Sequence, residues 1–380
     1  MRDVSIVGVG IHKFGRFEDK PYTEIGLEAA IRALRDAHIP WKDIQVAFCA
    51  RMYLPATTGV RILTQLGRTG ISITDVEAAC ASGGAALRQA YLAIAAGACD
   101  NALVLGVEKM PRGFMEPTQL YEDWQIKIGI SQNPMYWAMS ERRHMEDYGT
   151  TVEQIAKVAV KNHKYSVYNP NAMYQKEFSL EEIINSPIVN DPIRLLAICA
   201  PNEGAAAAVL CSKEIAHRYT TKPISIAACV HKVALYNDWR VPAKSMSAKV
   251  SNPHVTELAA KDAYEVAGIG PEDLDVAEVQ DTTAFMELET YEHLGLCNRG
   301  EGGKLIDEGV VEIGGKIPVN TSGGLISKGE SIGASHLGQI YHIVQQLRGQ
   351  LRPTQVPDAK VGLAHVTGAG GNCAITILKS

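Results

Sequence analysis

Two stretches of this chain, 230 residues apart, repeat one pattern. Residues 29–47 superpose on 259–277 with eight identities: Ala29, Ala30, Ala33, Ala37, Ile39, Asp43, Val46 and Ala47 against Ala259, Ala260, Ala263, Ala267, Ile269, Asp273, Val276 and Ala277. Unrelated Ala-rich segments of this length would share about one or two. In the first copy SIVGVG reads as a strand, and residues 23–38 place Ile25, Ala29, Ala30, Ala33, Leu34 and Ala37 on one helix face. DIQVAF follows as the next strand, and residues 254–280 repeat the arrangement. A duplicated α/β unit predicts two related halves. NALVLGV and AAAAVLCS read as strands buried on both faces, so each half should hold one mainly buried sheet carrying helices.

Composition agrees with a large buried core. Of 380 residues 46% are hydrophobic and 21% charged, which excludes disordered, collagen-like and coiled-coil chains. Thirty-seven basic against 42 acidic residues give −5 with no long run of one sign, so neither nucleic acid nor a polybasic membrane contact is expected. No stretch approaches the roughly 18 consecutive apolar residues of a membrane span. The N-terminus is too short in its apolar part for a signal peptide, and a cytoplasmic protein is expected. The eight cysteines form no CxxC pair and no Cys/His cluster at zinc spacing, so no metal site is expected and buried free thiols are the default.

Residues 113–195 change character. They hold Tyr121, Trp124, Tyr136 and Trp137 with several basic residues, are too long for a connection, and read as an inserted loop domain over a site. The boundaries expected are 1–112 with 196–222 for the first half, 113–195 for the insertion and 223–380 for the second half. A glycine-dense stretch, NRGEGGKLIDEGVVEIGGKIPVNTSGGLISKGESIGAS, reads as backbone lying close to a ligand or to another chain, or equally as a set of surface turns.

The strongest chemical signal is VEAACASGGAALRQAYLAIAAG, where Cys80 precedes a long Ala-rich helix. A thiol at a helix N-terminus lies near unpaired amides, which lowers its pKa and favours thiolate. Ser82, Gly83 and Gly84 would leave room for a substrate. A buried small hydrophobe at a tight helix start fits the spacing equally well.

The motif VEAACASGGAALRQAY resembles the nucleophile motif of thiolases, in particular the sterol-carrier-protein type. MSERRHMEDYGTTVEQIAKVAVKNHKYSVYNP, PNEGAAAAVL, TYEHLGLCNRGEGGKLIDEG, NTSGGLISKG and HVTGAGGNCAITIL resemble that family in order and spacing. The resemblance spans essentially the whole chain. It implies an α/β thiolase fold: two pseudo-symmetric βαβαβαββ halves in a five-layered αβαβα core, with a loop domain inserted in the first.

The catalytic set departs from the family. Its His-Asp-Cys motif reads Gln280-Asp281-Thr282, and its Gly-His-Pro motif reads Gly329-Glu330-Ser331. The final His-Asn-x-Gly-x-Gly-Gly is kept from His365 to Gly371 with Val366 for asparagine. Glu330 can take the missing base's role, because a carboxylate beside a thiol in a partly desolvated pocket has its pKa raised toward the working range; a solvated glutamate at a helix start is the alternative. Gln280 can donate a hydrogen bond but cannot exchange a proton, so it is expected to orient or stabilise charge. His365 could order the glycine loop or act as an acid, and a satisfied structural histidine at the strand end fits equally well. The Gly368 and Cys80 amides are the natural oxyanion pair, with Gly370, Ser322 and Gly323 in the substrate loops. Arg142, Arg143 and His144 could meet coenzyme A phosphates, against a solvated helix face. Cys373 and Cys297 are the thiols near these motifs, and Cys373 is expected to pack in the core.

The resemblance implies a coenzyme A-dependent acyltransferase that cleaves or forms a β-keto acyl-CoA through an acyl-cysteine on Cys80, with coenzyme A as cosubstrate and no covalently bound cofactor. A branched or aromatic acyl group, as in aromatic catabolism, would suit the altered acid/base set. Two alternatives stand beside it: a retro-aldol lyase acting on a β-hydroxyacyl-CoA, and a non-catalytic acyl-CoA-binding subunit. A homodimer is expected, together with a small partner carrying a zinc ribbon and an OB-fold, which would bring its own metal.

Overall fold

A computed structural model describes residues 1–113, 123–130, 132–235 and 253–380. Its strands are β1 (Val4–Gly15), β2 (Val46–Ala50), β3 (Ser72–Val76), β4 (Asn101–Lys109), β5 (Ile188–Asn190), β6 (Ile193–Arg194), β7 (Glu203–Ser212), β8 (Ile224–Val233), β9 (Val276–Glu278), β10 (Val361–Gly368) and β11 (Asn372–Lys379). Nine of them run in the order β3-β2-β4-β7-β1-β8-β11-β10-β9. Read outward from the β1–β8 junction, 1-7-4-2 on one side answers 8-11-10-9 on the other. The pairings match as well. β4–β7 and β10–β11 are antiparallel, whereas β2–β4 and β9–β10 are parallel. The duplication is visible to the residue: the 3-10 turns Trp41–Asp43 and Pro271–Asp273, and the first residues of β2 and β9, keep the 230-residue offset.

One detail differs from two separate sheets. Ser5 pairs with Ser225 and Ile6 with Ile224, which joins the halves along one short antiparallel seam.

Helices make the layers. Helix Tyr22–Asp36 covers the outer face of the first half through Ile25, Ala29, Ala30 and Ala33 against Val7, Leu103 and Val209. Its small residues allow direct contact with the strand: a Cβ on Gly8 or Gly10 would overlap the Ala33 or Ala29 carbonyl oxygen. Helices Ser82–Ala95 and Ser335–Leu347 lie between the halves. Their Leu87, Ala90, Ile94, Leu337 and Ile340 join Ile6 and Val104 of one sheet half to Ile226 and Ala364 of the other. Helices Val255–Ala267 and Ala284–His293 close the far side through Ala259, Ala263, Phe285 and Leu288. The five-layered αβαβα order is therefore present.

Residues 113–195 hold helices Asp123–Lys127, Asn133–Tyr148, Val152–Ser166 and Leu180–Ile184 and the hairpin β5–β6. Ile155, Val158 and Ala159 of the third helix pack into the core of the second half, which ties this segment to the half that does not contain it in sequence. Tyr121 lies outside the described residues.

Candidate active site

Three segments converge on one buried carboxylate. The first is the turn before the central helix. Ala79 takes a left-handed φ of 50°, and Ser82 Oγ accepts from the Ala78 amide at 2.8 Å while donating to the Ala79 carbonyl at 2.6 Å. This cross-bracing holds Cys80, half-buried, at the head of the helix. Gly83 and Gly84 do not make room for substrate as expected. Both are buried: a Cβ on Gly84 would strike Ala374 of β11, and one on Gly83 would press on Gly333 O and His336, so they let the helix pack onto β11 and onto the start of helix Ser335–Leu347.

The second segment carries Glu330. Gly329 has φ 105°, and a Cβ there would occupy the Asn202 side-chain amide, so glycine is required. The Glu330 amide donates to Ala200 O at 2.9 Å and the Asn202 amide donates to Glu330 O at 2.9 Å, which clamps the two strands of chain together. The third segment is the end of β9. Asp281 accepts from the Leu325 and Ile326 amides at 2.6 and 3.2 Å and from Asn162 Nδ2 at 2.9 Å, locking this strand end to the glycine-dense loop.

Glu330 is 4% exposed and receives donors from three sides. Cys199 Sγ donates to Oε2 at 2.9 Å, Gln280 Nε2 donates to Oε1 at 3.3 Å, and the Cys80 thiol lies beside the same carboxylate. Burial raises the Glu330 pKa above the ordinary carboxylate value, and the three donors offset only part of that. Cys80 is also pushed up, by burial first and then by the adjacent carboxylate. The expected depression of the Cys80 pKa is thus corrected. With a carboxylate facing it, the helix terminus does not favour a resting thiolate, and the route to ionisation is transfer of the thiol proton to Glu330.

Gln280 links this pair to the last hairpin. Its Oε1 accepts from the Thr367 amide at 2.5 Å and from Thr367 Oγ1 at 3.1 Å, while Nε2 also donates to Thr282 Oγ1 at 3.1 Å. Gly368 ends β10 and Gly370 (φ 82°) turns toward β11, and both line the same cavity as Cys80. That cavity measures about 450 Å³. Its wall includes Cys80, Cys199, Gln280, Thr282, Glu330 and Thr367, with Tyr136, Trp137, Ile198, Phe285 and Met286 as apolar cover.

Other expected residues fall elsewhere. His365 is buried off the cavity wall as a structural histidine, with Nε2 bonded to Thr256 Oγ1 at 3.0 Å, and burial takes its pKa down to about 3, so the ring is uncharged at neutral pH. Ser322 lies behind the site, its hydroxyl donating to Glu278 at 2.5 Å, and Gly323 packs on Ser166; neither reaches the cavity. Arg142 pairs with Asp191 and Arg143 with Asp147 (2.7 Å), both away from the cavity wall. His144 is buried between Glu292 (3.1 Å) and Thr150 (3.0 Å). Arg16 and Arg112 are the arginines on the wall instead. Arg16 is held by the Met110 and Pro201 carbonyls, each at 2.5 Å, and Arg112 is 75% exposed beside Glu18.

Cys373 packs in the core as expected, its pKa at about 12 through burial, and Cys297 lies off the cavity wall. The thiol that reaches the site is Cys199, which the motif reading passed over. It stands two residues before PNEGAAAAVL, but only the clamp between Ala200–Asn202 and Glu330 brings it to the site. Among the described residues no group of three or more His, Cys, Asp or Glu side chains could hold a metal ion, and no helix is long and apolar enough to cross a membrane.

Residues 4–214 match the thiolase N-terminal domain family, and residues 243–380 match the thiolase C-terminal domain-like family. The chain is 38% identical over 391 residues to sterol carrier protein 2 of Bos taurus, covering 99% of this chain and 72% of that one. It is 36% identical over 377 residues to the benzoylsuccinyl-CoA thiolase subunit BbsB of Thauera aromatica, covering 97% and 95%. Among solved structures, the Ltp2-ChsH2(DUF35) aldolase superposes with a TM-score of 0.86 at 24% identity, covering 100% of this chain and 98% of that one, which speaks for the fold. With the duplicated five-layered core and a cysteine at the head of its central helix, the chain belongs to the thiolase family, in its sterol-carrier-protein branch, and is an acyltransferase.

Proposed function

We propose that this chain cleaves, or in reverse forms, a β-keto acyl-CoA through an acyl-cysteine on Cys80, with Glu330 as the base. The observation that carries this reading is the Cys80 thiol set beside a buried carboxylate on the wall of an apolar cavity. Glu330 takes the thiol proton as sulfur attacks the keto carbonyl. The oxyanion forms beside Gly368 and the Cys80 amide, where backbone donors would stabilise it. Its collapse breaks the Cα–Cβ bond and leaves the acyl group on sulfur, and coenzyme A then removes it. Gln280 positions Glu330 and the Thr367–Gly368 backbone together, and exchanges no proton.

Tyr136, Trp137, Ile198 and Phe285 on the wall support a bulky acyl group, branched or aromatic. The resemblance to a benzoylsuccinyl-CoA thiolase subunit points the same way. Arg112 is the exposed cation on the wall and suits a coenzyme A phosphate better than Arg142 or Arg143. A homodimer, with a small zinc-ribbon/OB-fold protein as partner, belongs to the same reading, as do the domain limits 1–112 with 196–222, 113–195 and 223–380. Eight free thiols, two of them on Glu330, suit a reducing cytoplasm.

A second reading is retro-aldol cleavage of a β-hydroxyacyl-CoA. It is favoured by Glu330, which can take a hydroxyl proton without help from sulfur, and by the raised Cys80 pKa. Incubation of the protein, with any partner that copurifies, with β-keto and β-hydroxy acyl-CoA substrates tests both. Cleavage that consumes free coenzyme A supports acyl transfer, and release of an aldehyde or ketone without coenzyme A consumption supports the lyase.

A further inference from the structure

We infer that Cys199 is a second proton-carrying catalytic residue, passing a proton between Glu330 and the α-carbon of the departing acyl-CoA. This rests on the acyl-transfer reading and deepens it. Glu330 and Gln280 adjoin the Cys80 thiol, and of the two only Glu330 can take its proton and hold it after attack. The enolate formed by Cα–Cβ cleavage then needs a proton, and the incoming coenzyme A thiol later has to lose one. Among the described residues, the side chains that meet the Glu330 carboxylate are Cys199, Gln280 and Cys80. Of these, Gln280 cannot exchange a proton at neutral pH and Cys80 is occupied by the acyl group. Cys199 is the remaining one, and it both lines the cavity and bonds the carboxylate at 2.9 Å.

Its backbone is built for a fixed position. The Cys199 amide donates to Thr282 O at 2.8 Å, Ile198 bridges Thr283, and Pro201 bridges Glu330. The thiol is therefore held between the segment bearing Gln280 and the segment bearing Glu330. Like Cys80, it is kept protonated at rest by burial and by the carboxylate, which is the state an acid requires.

The protons balance over the cycle. The Cys80 proton goes to Glu330, and the Cys80 sulfur bonds to the keto carbon. When the Cα–Cβ bond breaks, its electron pair becomes the enolate of the departing acyl-CoA. Cys199 gives its proton to the α-carbon and is reprotonated by the Glu330 carboxylic acid, which returns to carboxylate. Coenzyme A then enters and gives its thiol proton directly to Glu330. Its sulfur takes the acyl carbon, the Cys80–acyl bond breaks, and Cys80 recovers the proton.

The test separates Cys80 acylation from α-carbon protonation. Wild type, Cys199→Ser and Cys199→Ala are compared for acylation of Cys80 by acetyl-, isobutyryl- and benzoyl-CoA, read by mass spectrometry. The same proteins are compared for deuterium exchange into the α-position of acetyl- and isobutyryl-CoA in D2O. Serine keeps the hydrogen bond to Glu330 but lacks a thiol's acidity. The inference expects Cys80 acylation within about threefold of wild type, with α-exchange and turnover down ~10²-fold or more in both variants. Undiminished exchange in Cys199→Ser would overturn it, because a hydrogen bond alone would then suffice. Acylation and exchange falling together in both variants would also overturn it, since Cys199 would then only place Glu330. Wild type that exchanges α-protons but never acylates Cys80 refutes the acyl-transfer reading; loss of that exchange in Cys199→Ser would still support the proton-carrying role.

Discussion

Glu330→Gln separates a base from a structural acid more sharply than any other single change. The side chain keeps its shape and can still bond Cys199 and Gln280, but it no longer accepts a proton. General acid–base groups contribute ~10²–10⁴-fold, so kcat should fall by that factor with little change in coenzyme A affinity. Stability should move the other way. The folded pKa of Glu330 lies above the unfolded value because of burial. The folded state therefore binds more protons between the two values, and this contribution, full below the unfolded pKa, is lost as pH rises through the folded pKa. Above the folded pKa, wild type carries a buried carboxylate that the glutamine variant lacks, so there the variant should melt at the same temperature or higher. The wild-type kcat/KM profile should show an acid limb displaced above the ordinary glutamate range, and the variant should lose that limb. A helix-capping role would predict the reverse: a loss of about 0.3–1 kcal/mol with activity kept. Full turnover by Glu330→Gln, in complex with any partner that copurifies, would refute the base assignment. His365 could not replace it, being neutral at working pH and off the cavity wall.

Gly329→Ala should lose about 1–3 kcal/mol in denaturant melts from the positive φ alone, and kcat should fall further because the Asn202 overlap pushes Glu330 off the thiol. Gln280→Ala should lower kcat by ~10²-fold, within the range for a lost electrostatic donor, while Cys80 is still acylated in a single-turnover assay. Trp137→Ala should lower kcat/KM for aromatic acyl thioesters more than for acetyl thioesters, as measured by competition between the two. Arg142→Ala with Arg143→Ala should leave the KM for coenzyme A within about twofold, since exposed pairs to Asp191 and Asp147 contribute little.

The duplicated fold was legible because its signal is periodic: alanines at 29, 33, 37 and 259, 263, 267 face a sheet in both halves, and the 230-residue offset carries through to the first residues of β2 and β9. Cys80, Gln280, Glu330, Gly368 and Gly370 were legible because they stand in motifs, and the structure brings all five to one cavity. Cys199 was missed because its place depends on a long-range clamp between Ala200–Asn202 and Glu330, which no local spacing encodes. The arginines at 142 and 143 misled because a basic pair on a helix does not show which carboxylates wait across from it. The Cys80 pKa was misjudged for a related reason. Helix position is local, whereas the carboxylate that raises the pKa arrives from 250 residues away in the chain.

Mass spectrometry of the protein mixed with acetyl-, isobutyryl- and benzoyl-CoA and quenched in acid tests the central claim most directly. The claim predicts one acyl mass added per chain, located by peptide mapping to Cys80, removed by free coenzyme A and absent from Cys80→Ala. Turnover of a β-keto acyl-CoA with no adduct on Cys80, or with the acyl group on Cys199, would contradict it.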